Sequence, residues 1–224
     1  MAEDVLFTIG PVEVTGVVVT SWVIIALLAL FSYLATRRLK EIPGPLQTAA
    51  EMAIGSLRKF FADVLGKRKA DRYLPIFATF FIYIIVSNYS GLLPGAGHLK
   101  GFSVPTGNLS VTAGLAITAF FAWHYIGVKE LGAKAYFGKF FKPFALMIVI
   151  NLLEQIIRPL SLALRLYGNL FGEEAVTENL YEVFPIGLPI VMNILSLLFC
   201  FIQALVFTML LSVYVDEGTE ISED

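Results

Sequence analysis

Arg165 lies inside SLALRLYGNLFGEE and is the last basic residue of the chain; the 59 residues after it contain no Lys or Arg. A guanidinium at bilayer depth costs about 2.5–3.5 kcal/mol even on the mildest insertion scale, so a solitary arginine in an apolar helix marks a functional site by default. The chemistry open to such a fixed charge is electrostatic: it favours the ionised form of a nearby carboxylate and repels a passing cation. At about 100° per residue, with Arg165 as zero, Asn151 and Asn169 fall near +40°, Glu154 and Gly172 near −20°, Arg158 near +20° and Ser161 near −40°. These residues share one narrow stripe. Glu154 and Arg158 are an i,i+4 pair in the favourable order, so a salt bridge near the helix end accounts for Arg158. Arg165 has no acid three or four residues away, where Ser161, Leu162, Gly168 and Asn169 stand. Its counter-charge is therefore expected from outside its own helix. Glu174 falls at about 180° and Glu173 at about 80°, which gives the helix a second polar side able to line a wet path. Glu178 and Glu182 suit solvated acids near a helix end. On the last apolar segment Asn193, Ser196 and Gln203 line one side, the pattern of interhelical hydrogen bonding in membrane bundles.

Other chemistries find no support. His98 and His124 have no second His or acid at ligand spacing, so no metal site is assigned. The single Cys200 excludes a disulfide within the chain and suits a packed thiol. No GxxxxGK[ST], GxSxG or HExxH occurs, so nucleotide chemistry belongs to another polypeptide and no cofactor is expected. An intramembrane enzyme would need a nucleophile beside a base, which the spacing does not provide. Nor does the charge distribution suggest nucleic acid.

The elements that must position these residues are membrane helices. The chain is 57% hydrophobic and 15% charged, with a mean hydropathy of +0.77, where a soluble domain would carry ~25% charge. Its fold class is an all-α integral membrane protein with about five membrane-embedded helices and one amphipathic helix on the cytoplasmic surface. Residues 14–36 are uncharged and long enough to cross a ~30 Å hydrocarbon core. The acids and absent bases before them argue for a retained span rather than a cleaved signal. Residues 45–66 mix apolar and basic positions as an interfacial helix does, and 73–94 and 108–128 form two further spans. Trp22, Trp123, Tyr125 and the stretch near Phe137 suit interface anchors or lipid-facing bulk. The segments 144–182 and 187–215 would be roughly 58 and 43 Å long as helices. Both exceed a perpendicular crossing, so a strongly tilted hairpin is expected, with Pro159 kinking its first arm. Thirteen of the sixteen basic residues fall in two linkers, Arg37–Arg72 and Lys129–Lys142. The positive-inside rule makes these cytoplasmic, with the N-terminus outside and the acidic tail 216–224 inside. The absence of a transit-peptide-like start favours a bacterial inner membrane.

With these residues in place, SLALRLYGNLFGEE followed by FIQALVFTMLLSVYV resembles the last two helices of subunit a of F-type ATP synthases. SNYSGLLPG is similar to that family's N-x-x-G-L-x-P-G, and VPTGNLSVTAGLA to its P-T-x-x-L-x-x-T-x-x-L-A. NLLEQIIRPLSL resembles the approach to the family arginine, so the likeness covers nearly the whole chain. It implies a non-catalytic stator subunit that works with a ring of subunit c, the peripheral-stalk subunit b and the rest of the complex. It implies further that Arg165 faces the ring carboxylates and that Asn169 and Gln203 are its polar partners. Glu174 would serve the outer half-channel, and Glu154 and Ser161 the cytoplasmic one. Some members carry a histidine where this chain has Ser196, so a relay through imidazole is not expected here. A stand-alone channel or secondary transporter is the alternative; it would need its own counter-ion for Arg165 and an internal repeat, and neither is found.

Overall fold

The computed structural model describes residues 5–9, 12–37, 44–92, 103–139, 147–183 and 188–220. Residues 93–102, His98 among them, residues 184–187, the last four residues and the side chains of Glu178 and Glu182 lie outside the described residues. The protein is an all-α membrane protein, apart from a short β-hairpin that the hydrophobic periodicity does not reveal. Before the first helix, β1 (Val5–Ile9) pairs antiparallel with β2 (Val12–Thr15), Thr8 opposite Glu13 and Ile9 opposite Val12. These segments, VLFTI and VEVT, are rich in β-branched residues, which favour a pleated backbone.

Among the described residues seven α-helices follow: α1 (Gly16–Thr36), α2 (Pro45–Leu65), α3 (Lys67–Ser90), α4 (Leu109–Leu131), α5 (Ala133–Gly138), α6 (Met147–Val183) and α7 (Leu188–Thr219). Four are long and apolar enough to cross a membrane: α1, α3, α4 and α7 from Val191. Helix α6 packs against both α4 and α7. It continues as helix through Pro159, and α7 runs past the apolar segment to take in Asp216 and Glu217.

Local chemistry explains where these helices break. Gly66 (φ 75°) ends α2 and Gly132 (φ 82°) ends α4, each in a backbone region that a side chain would strain. Both turns are sharp, and a new helix starts within one residue. At the other end of α4, a 3-10 turn at Pro105–Gly107 leads into Asn108, whose side chain accepts from the Ser110 amide at 2.8 Å and caps the helix.

The core lies among α3, α4, α6 and α7, built on Phe77, Ile84, Ala119, Ile126, Leu166 and Phe207, with Phe61 and Leu65 of α2 laid against it. Trp123 is part of that core rather than an interface anchor: it is 2% exposed and edge-on to Phe120 and Tyr214. Trp22, Tyr125 and Phe137 are exposed, as expected. His124 packs among Phe120, Trp123 and Tyr136 and engages the Phe120 carbonyl through Nδ1.

Charged side chains tie one end of the bundle together. Arg72 donates to Glu130 at 2.7 Å, and the Tyr73 hydroxyl to the same carboxylate. Lys69 reaches Asp216 at 3.2 Å and Thr219 at 2.8 Å, while Lys139 donates to the carbonyls of Glu217 and Glu220. Burial lowers the pKa of the Lys139 ammonium. These contacts bring residues of both basic linkers to the C-terminal end of α7, so all three lie on the same side of the bundle.

Candidate functional site

Helix α6 carries the site because its two faces differ. Leu162, Ala163 and Leu166 are buried in the core, whereas Leu160, Leu164 and Phe171 are exposed. Arg165 is on the exposed side, in an open groove lined by Ile157, Leu160, Ser161 and Leu164. Among the described residues it makes no hydrogen bond or ion pair. The missing counter-charge expected from the helical wheel is thus also missing from the neighbouring helices. A guanidinium among exposed aliphatic side chains can act on a carboxylate that approaches along that face.

The stripe that the wheel drew through Arg165 divides in three dimensions. Arg158 pairs with Glu154 at 2.9 Å, the expected i,i+4 bridge. It also reaches across to α7, pairing with Glu217 at 2.7 Å and lying 4.8 Å from the centre of the Tyr214 ring. Those last two partners were not foreseen, because Glu217 falls beyond the expected end of the apolar helix. Glu154 is exposed and keeps its place near the groove's end, one turn from Arg158.

Asn169 turns toward α7 and donates to Gln203 Oε1 at 2.5 Å. Gln203 is 4% exposed, and its Nε2 is buried without a partner among the described residues. Ser196 is buried on the same helix, but Asn193, expected beside it, is exposed. The two adjacent acids separate. Glu174 is exposed, whereas Glu173 is half-buried and lies beside Ser196. The angular position of Glu173, about 40° round from Asn169, was the signal available for it. Gly168 and Gly172 have open space where a Cβ would stand, so nothing among the described residues requires their smallness. No cluster of His, Cys, Asp or Glu able to hold a metal occurs among the described residues.

The Asn169–Gln203 contact carries a testable energy. Replacing Asn169 by Leu strands the buried Gln203 amide, at about 1–3 kcal/mol, whereas replacing Gln203 by Leu leaves the exposed Asn169 amide to solvent and should cost less. The double replacement should cost less than the two single costs together, because both polar groups leave at once. Thermal unfolding of the four proteins in detergent measures the difference; strictly additive losses would mean that the contact contributes nothing.

The family model described as ATP synthase A chain matches residues 18–216. Over 210 residues the chain is 38% identical to ATP synthase subunit a of Moorella thermoacetica, covering 94% of this chain and 93% of that protein. It is 36% identical over 215 residues to ATP synthase subunit a 2 of a Bradyrhizobium species, covering 96% and 93%. With ATP synthase subunit a 1 of Syntrophotalea carbinolica the identity is 39% over 204 residues, covering 89% and 84%. The match runs from α1 past Arg165 into the last turn of α7, through every helix that builds the core and the exposed arginine face, and it makes this chain a member of the ATP synthase A chain family.

Proposed function

We propose that this chain is the ion-translocating stator subunit of a rotary F-type ATP synthase, a non-catalytic membrane subunit whose ATP chemistry is carried by its partners. Family membership supports a place in the ATP synthase complex. The observation that carries the finer reading is Arg165, exposed on an apolar face with no carboxylate partner among the described residues. The partner on that face is a ring of subunit c with membrane-embedded carboxylates, and subunit b holds the assembly through the peripheral stalk. A cation enters from outside near Glu174, moves along the side of α7 that carries Asn193, Ser196 and Gln203, and neutralises a rotor carboxylate. The neutral site then turns through lipid. It reaches a second half-channel near Ser161 and Glu154, and Arg165 between the two stabilises the ionised carboxylate and so promotes release. The same charge repels a cation that would pass directly from one half-channel to the other. Both linkers that meet the end of α7 are basic, which supports a cytoplasmic C-terminus and an outer N-terminus in a bacterial inner membrane.

A stator cannot conduct on its own, since the carboxylate that ferries the ion belongs to the rotor. The purified chain reconstituted in vesicles should therefore pass neither protons nor sodium above the background of empty vesicles, and conduction should appear only in the assembled complex. Rapid flux through the chain alone would establish the stand-alone channel instead. The coupling ion is read from whether ATP hydrolysis by the assembled complex depends on sodium.

A further inference from the structure

Arg165, Asn169 and Glu173 are spaced four residues apart, so each lies one turn on and about 40° further round α6. That rotation carries the side chains from the open groove toward α7. Asn169 meets Gln203 at 2.5 Å, and one turn later Glu173 lies beside Ser196. Cys200 lies between those two α7 positions, within electrostatic reach of Glu173, and its carbonyl accepts from Asn88 of α3 at 3.3 Å. Ser196, Cys200 and Gln203 are almost wholly buried. The boundary between α6 and α7 thus holds two polar rungs, one of them ending in a carboxylate. Gln203 Nε2 is a second and independent mark of the same place. A buried donor without an acceptor is unfavourable, and it points to a polar visitor between the helices. Glu174, about 100° round the helix from Glu173, is exposed.

We infer that Glu173 is the carboxylate that receives the translocated cation inside the α6–α7 boundary and passes it toward Arg165, with the Ser196 hydroxyl as its partner. The inference rests on the stator reading above and deepens it. Glu173 stands about 12 Å along the helix from Arg165, two turns away, and the Asn169–Gln203 rung occupies the interval. In a proton cycle the Glu173 carboxylate takes H⁺ from hydronium in the outer half-channel, leaving water, and becomes the neutral acid. It then releases that proton to a rotor carboxylate through the polar rung and returns to its ionised form. In a sodium cycle the carboxylate and the Ser196 hydroxyl supply oxygen ligands, and the ion leaves for the rotor with no bond made or broken. Glu174 marks the mouth of the path, and Glu173 the step inside it.

The test uses the assembled complex in vesicles, with ATP-driven proton uptake followed by a pH-sensitive dye and sodium uptake by isotope. Glu173→Gln should lower transport of the coupling ion on the order of 100-fold, the range for loss of a positioned proton carrier. Soluble ATP hydrolysis should persist, and Glu174→Gln should be the milder change. Glu173→Asp keeps the carboxylate and should recover most of the rate. Ser196→Ala should slow transport in the native background and add nothing to Glu173→Gln. A Glu173→Gln complex that pumps at the native rate, an Asp variant as inactive as the Gln variant, or a more severe defect in Glu174→Gln would overturn the assignment. Should Glu173→Gln fail to assemble, Glu173→Asp and Ser196→Ala carry the test. A native rate in Ser196→Ala, or an Asp complex that assembles but does not pump, then counts against it. Arg165→Ala in the same vesicles separates the two levels. Native pumping there removes the stator reading itself, whereas an inactive Arg165→Ala beside a fully active Glu173→Gln removes only the role of Glu173.

Discussion

Arg165→Ala is expected to abolish ATP-driven ion pumping by the assembled complex and to leave ATP hydrolysis by its soluble part largely intact. The magnitude follows from what the guanidinium does not touch. It has no ion pair or hydrogen bond among the described residues, and it sits in an open groove. Its removal should change the stability of the folded chain by no more than about 0.5 kcal/mol, as for surface substitutions away from special features. A lost function cannot then be ascribed to a lost fold. Without the fixed charge, a rotor carboxylate facing this groove has no reason to stay ionised, so the ion is not released on the correct side. Nor is the direct passage between half-channels blocked by repulsion. Vesicle acidification or sodium uptake, measured together with the amount of assembled complex, checks this. Pumping at the native rate would refute the role assigned to the arginine. Arg165→Lys keeps the charge but replaces a planar fork by a compact, strongly hydrated ammonium, and it should recover only part of the rate.

Arg158→Ala, two turns away on the same helix, should have the opposite character. Arg158 joins Glu154 and Glu217 and lies over the Tyr214 ring, so it fastens α6 to the end of α7. Its side chain is 23% exposed, so solvent screens the pair in part. Loss of one charged partner should cost about 1.5–3 kcal/mol. The measurable result is a lower midpoint of thermal unfolding in detergent and a lower yield of assembled complex. Those complexes that do assemble should still pump. Glu217→Gln, which removes only the interhelical half of the network, should reproduce most of the loss, whereas Glu154→Gln, which removes a bridge within one helix, should cost less. Equal stability of the native chain and Arg158→Ala would show that the network does not hold the helices together. The two arginines thus make a paired control: one defect in coupling without unfolding, and one in stability without loss of coupling.

The membrane class, the basic linkers and the isolation of Arg165 were all legible along the chain, because each depends on composition or on neighbours within a few residues. The Glu154–Arg158 bridge was legible for the same reason, since an i,i+4 pair is set by the helix itself. The β-hairpin was overlooked because its strands are too short for a periodic signal to stand out beside a long apolar run. Trp123 was misassigned because aromatic character alone does not distinguish a lipid-facing ring from a core ring, and the decision belongs to α7, which brings Tyr214 against it.

The candidate site divides along the same line. Local spacing determined that Arg165 lacks an acid on its own helix and that Glu173 and Glu174 point to different sides, because a regular helix sets those angles whatever surrounds it. Only the tertiary structure decided which neighbour receives each side. Glu217 meets Arg158 from 59 positions further along the sequence, Gln203 meets Asn169 from 34 positions further, and Ser196 lies beside Glu173 while Glu174 is left exposed. Those choices follow from how α6 and α7 pack side by side, a relation fixed by their buried apolar faces and by the ionic contacts at one end of α7. None of these is a property of either helix alone.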